Sequence, residues 1–94
     1  MVDNSNIDWY ARMGELKKVK YLIENGANIN YTNSWKENAL IGAIKNKEIE
    51  IAKYLIDSGI DINIKSLIGE TPLSIAKENN LHGIINYLIE KGAK

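Results

Sequence analysis

Tyr21-Leu22-Ile23-Glu24-Asn25-Gly26-Ala27, Tyr54-Leu55-Ile56-Asp57-Ser58-Gly59-Ile60 and Tyr87-Leu88-Ile89-Glu90-Lys91-Gly92-Ala93 are three versions of one phrase, with their glycines 33 residues apart. A fixed period of this length means one supersecondary unit used repeatedly, so the period decides the architecture before any single residue is weighed. Each glycine stands where a helix commonly ends in a left-handed residue, a conformation costly for other side chains. Upstream of it, apolar residues at three- and four-residue spacing, such as Val19, Leu22 and Ile23, predict helices over Leu16–Glu24, Ile49–Asp57 and His82–Glu90.

A shorter helical run precedes each of these, beginning at Ser5, Asn38 and Thr71, again at the period. All three residue types accept a hydrogen bond from the unpaired amides of a helix start. Pro72 follows Thr71 at a position that needs no amide partner, and Asp8 stands three residues after Ser5, near the geometry of a capping box. Between units the chain turns polar, and Ile62 and Ile64 alternate with Asn63 and Lys65, the period of two expected of short extended segments entering a turn. Each unit is therefore a hairpin followed by two antiparallel helices. The whole is an all-α repeat solenoid, one domain over residues 1–94, with units of about 1–33, 34–66 and 67–94 joined by short β-hairpin loops.

Thr71-Pro72-Leu73-Ser74-Ile75-Ala76 is similar to the Thr-Pro-Leu-His-x-Ala signature of the ankyrin-repeat family, departing at the histidine. Gly26-Ala27-Asn28-Ile29-Asn30 and Gly59-Ile60-Asp61-Ile62-Asn63 resemble that family's Gly-Ala-Asp-Val-Asn phrase, so the resemblance covers nearly the whole chain as three repeats. Asn38-Ala39-Leu40-Ile41-Gly42-Ala43 lacks the Pro and His, the first unit keeps only Ser5 and Ile7 of the motif, and Lys36 replaces the turn glycine represented by Gly69. A non-glycine residue held left-handed costs about 1–2 kcal/mol, so the sequence leaves open whether the turn at Lys36 keeps the shape that Gly69 gives the next one or takes another.

Twelve basic and twelve acidic residues cancel and are interspersed, so neither a nucleic-acid field nor an anionic-membrane patch stands out. The chain contains no cysteine, hence no disulfide framework or thiolate metal site, which fits a reducing, cytoplasmic setting. The opening Met-Val-Asp-Asn-Ser-Asn has neither a basic head nor an apolar run of the kind a secretory signal needs. His82 is the single histidine and replaces Leu16 and Ile49 of the other units, which makes it a local swap on a terminal helix. No nucleophile–base pair, metal set or phosphate loop is recognisable, so the sequence predicts a non-catalytic chain with no cofactor.

Tyr21, Tyr54 and Tyr87 recur at the period and are expected to pack between units. Trp9, in the register of Ile75, is expected to plug the core of the first unit, with Tyr10 beside it in the place of Ala43 and Ala76. Trp35 breaks the series. It falls at a loop tip, with Leu67 and Ile68 one period on, and tips ordinarily carry polar residues and glycine. Either these side chains fold back onto the neighbouring tip, or they form an apolar recognition edge with a tryptophan anchor.

In ankyrin-like proteins the partner usually lies across the hairpin tips and the exposed side of the first helices. The resemblance implies a protein-binding surface here of Arg12 and Met13 from the first unit, Ser34, Trp35, Glu37, Lys45 and Asn46 from the second, and Leu67, Ile68, Glu70, Glu78 and Asn79 from the third. Its charges are mixed and name no partner class. The expected function is binding of another protein by a monomer, without nucleic acid or membrane. The competing reading is structural, a self-associating end-to-end stack or an end segment of a longer array.

Overall fold

A computed structural model describes residues 5–94. Helices α1 (Ser5–Arg12), α3 (Ala39–Lys45) and α5 (Pro72–Glu78) are the first of each unit, and α2 (Leu16–Glu24), α4 (Ile49–Asp57) and α6 (His82–Glu90) are the second. The second helices start and stop at the residues the sequence predicts. Within a unit the two helices pack on each other; between units α3 stacks on α1 and α5, and α4 on α2 and α6. Leu22, Leu55 and Leu88 of the repeated phrase are all buried, with Ile7, Leu40, Ile44, Ile51 and Ile84, in one continuous core. Among the described residues no helix is long and apolar enough to cross a membrane.

The helix ends show why the phrase recurs. Gly26, Gly59 and Gly92 all have strongly positive φ, 89°, 91° and 99°. This lets Ala27 N–H return to the Leu22 carbonyl, Ile60 to Leu55 and Ala93 to Leu88, satisfying carbonyls that the helix leaves open. At the first helices, the Asn38 side chain accepts from Ile41 N–H, and Thr71 and Ser74 form a reciprocal capping box ahead of the helix Pro72 begins. Ser5 is itself the first residue of α1, and its side chain lies outside the described residues. Asp8 accepts from Arg12 Nε at 3.0 Å.

Two expectations are corrected, and the turn that the sequence leaves open at Lys36 is decided. The described residues contain no β-strand. Each tip instead closes on itself as a turn, through Asn33 N–H to the Glu37 carbonyl and Ser66 N–H to the Glu70 carbonyl, and Leu67 N–H donates to the Trp35 carbonyl to join neighbouring tips. Secondly, Lys36 does not change the turn: it adopts φ +60°, the left-handed conformation that Gly69 takes at +84°. The bonds of the Asn33 side chain to Trp35 and Glu37 N–H hold it there. Relief of about 1–2 kcal/mol of strain, offset by the greater chain entropy of glycine, means that Lys36→Gly is expected to stabilise the fold by about 0.5–1 kcal/mol, measured as a rise of a few degrees in thermal midpoint.

Thirdly, Trp9 is no core plug; it is 57% exposed. Its register partner Gly42 faces α1 so closely that an added Cβ would lie 2.8 Å from the Arg12 side chain, and Ile75 is buried on the helix that packs against α3. The same register on α1 points Trp9 away from α3. Tyr10 is half-buried against the core and meets Trp9 edge-on. The tyrosines follow the same logic. Tyr87 donates to Asp57 of the preceding unit and Lys20 lies over the Tyr54 ring, whereas Tyr21 is 64% exposed.

Candidate protein-binding face

Trp35, Leu67 and Ile68 stand on the second and third tips, exposed by 61%, 65% and 71%. They do not fold back. The bond from Leu67 N–H to the Trp35 carbonyl fixes the two tips side by side, so the three side chains share one edge. Trp35 and Ile68 also wall an open cleft of about 450 Å³, whose remaining lining is Arg12, Asn33, Glu37, Lys45 and Ser66.

Arg12, Glu37 and Lys45 in that cleft are the middle of a chain of ion pairs that crosses all three units. Asp8 holds Arg12 at 3.0 Å, Arg12 reaches Glu37 at 2.7 Å, Glu37 holds Lys45 at 2.6 Å, and Lys45 reaches Glu70 at 2.9 Å. The period creates it: Glu37 and Glu70 are 33 apart, as are Arg12 and Lys45, so each tip carboxylate meets the cation of the unit before it. Burial pushes the Glu37 carboxyl up, but hydrogen bonds from Lys45, Arg12 and Asn33 outweigh it and hold its pKa below the ordinary value. Lys45 is held above its ordinary value, chiefly by its bonds to Glu37 and Glu70.

These contacts divide the residues expected at the surface. Glu37 is buried, only 7% exposed, because its carboxylate is used in bridging units. Arg12 and Glu70 are half-buried in the same chain, and Lys45 is exposed above it. Asn46 and Asn79 turn back to the Gly42 and Ile75 carbonyls and finish α3 and α5. Ser34, Met13 and Glu78 are exposed, though none of them lines the cleft. Asn33 and Ser66 line it unforeseen. Their signal in the sequence is a second pair of turn-forming residues at the period, and their side chains brace the two tips, Asn33 through Trp35 and Glu37 N–H and Ser66 through Glu70 N–H.

A family model described as ankyrin repeats (3 copies) matches residues 7–94. The chain belongs to the ankyrin-repeat family. No curated protein matches it in sequence. Ankyrin repeats are generally protein–protein interaction modules and generally non-catalytic, and in this ankyrin-repeat chain the exposed apolar edge lies along the turns that join successive repeats.

Proposed function

We propose that this ankyrin-repeat chain binds another protein through its second and third tips and the adjoining side of its first helices. One observation carries the reading: Trp35, Leu67 and Ile68 are exposed together beside a cleft, although no core requires them there. A few well-packed side chains supply most of the energy at protein interfaces, and tryptophan is among the residue types most enriched there, with apolar neighbours that exclude water around it. The rigid part is the chain of ion pairs, which fixes the tips before a partner arrives and so reduces the ordering cost of binding.

The triple variant Trp35→Ala, Leu67→Ser, Ile68→Ser is expected to melt within a degree or two of wild type, since none of the three is in the core, yet to lose the partner captured by wild type from a lysate of the source organism. Retention of the same partner by both would refute the tip reading. A second reading, end-to-end stacking of copies, is favoured by Trp9 and Tyr21 exposed on the first unit and Ile89 on the third. It predicts a sedimentation coefficient that rises with concentration; a monomer throughout the micromolar range removes it.

A further inference from the structure

The chain of ion pairs alternates in sign from Asp8 through Arg12, Glu37 and Lys45 to Glu70, so three acids share two bases. Positions 12, 45 and 78 are one register. In the second unit Lys45 of that register holds both the carboxylate of its own tip, Glu37, and that of the next, Glu70. In the third unit the place of the cation is taken by Glu78, which is exposed. Glu70 therefore lacks the same-unit lysine that Glu37 has, and the row ends on an excess of negative charge. Lys77 does not correct this, because it shares the register of the fully buried Ile44 rather than that of Lys45.

The acidic end adjoins the apolar edge, since Lys45, which holds Glu70, lines the same cleft as Trp35 and Ile68. Trp35 also presents an exposed indole, the ring that attracts cations most strongly. We propose that the face takes a partner segment bearing an arginine or lysine next to an apolar side chain. The cation completes the alternation at Glu70 and Glu78 and packs against the Trp35 ring. Its apolar neighbour fills the cleft against Ile68. This inference rests on the protein-binding reading above and adds the chemistry of the partner to it.

The test is selection from a random displayed-peptide library on the full chain, in parallel on wild type, Glu78→Lys, Glu70→Gln and Trp35→Ala, each checked by thermal melt. Glu78→Lys supplies the missing cation in place, and Glu70→Gln keeps the side-chain shape should the first variant misfold. Wild type is expected to enrich peptides pairing Arg or Lys with an apolar residue, and the best of these should bind Glu78→Lys or Glu70→Gln about tenfold more weakly. Enriched peptides without a basic preference, or with equal affinity for the charge variants, overturn the inference; if they still require Trp35, the protein-binding reading survives. Peptides indifferent to Trp35→Ala overturn both, and failure to enrich any peptide overturns the inference.

Discussion

Asn38→Ala is expected to destabilise the fold by about 2–4 kcal/mol, from a total on the order of 5–15 kcal/mol. Asn38 is fully buried and works at both ends of its amide. Its oxygen accepts from Ile41 N–H at 3.0 Å, capping α3, and its nitrogen donates to the Asp61 carbonyl at 3.0 Å, tying the start of α3 to the segment that leaves α4 in the same unit. Loss of the cap costs about 1 kcal/mol. The orphaned Asp61 carbonyl adds about 1–3 kcal/mol. A drop of about 10–20 °C in thermal midpoint corresponds to that range. Asn38→Thr, which copies Thr71, restores the cap without the bond to Asp61 and should recover roughly the cap's share. Equal losses for the two variants would show that the cap contributes nothing here.

Glu37→Gln is expected to cost about 2 kcal/mol at neutral pH. Removing one partner of a fully buried ion pair costs more, about 3–5 kcal/mol. Here the side chains of Arg12 and Lys45 keep 25% and 32% exposure, so water recovers part of what the carboxylate supplied. The acid dependence separates this from simple loss of packing. Because the folded pKa of Glu37 lies below its ordinary 4.5, its contribution is complete above that value and fades as pH falls through the folded pKa. Wild type and Glu37→Gln should then differ in urea-unfolding free energy at pH 7 and converge below pH 4.5. Lys45 gives the opposite limb. Its pKa is raised, so its contribution is complete below 10.5 and is lost only as pH climbs through the higher folded value. A gap between wild type and Glu37→Gln that persists unchanged into strong acid would contradict the ionic account.

The repeat was legible because glycine advertises a backbone need. Where other residues meet the same need, it is hidden. Gly14, Lys47 and Asn80 are one period apart and all left-handed, at φ 80°, 57° and 56°, yet only the first of them signals this in sequence. Lys36 conceals a turn in the same way. Trp9 was misleading for a different reason: its size suggests a core, but burial depends on which neighbour the register faces, and on α1 that register faces away from α3. The site divides similarly. The apolar tips were visible as residues that polar turns do not call for, whereas the burial of Glu37 was not, because a carboxylate at a tip looks solvent-facing until Arg12 and Lys45 arrive from two units. Asn30 shows the same limit. Its side chain accepts from Asp61 N–H, and Asn63 repeats the bond to Lys94 N–H, a staple between units that requires the stacked geometry to be seen.

Amide hydrogen exchange of the chain with and without its captured partner tests the central claim most directly. The account predicts new protection in the tips around residues 33–37 and 66–70 and at the exposed ends of α3 and α5, with α2, α4 and α6 unchanged. Protection confined to the second helices, with the tips exchanging as in the free chain, would contradict it.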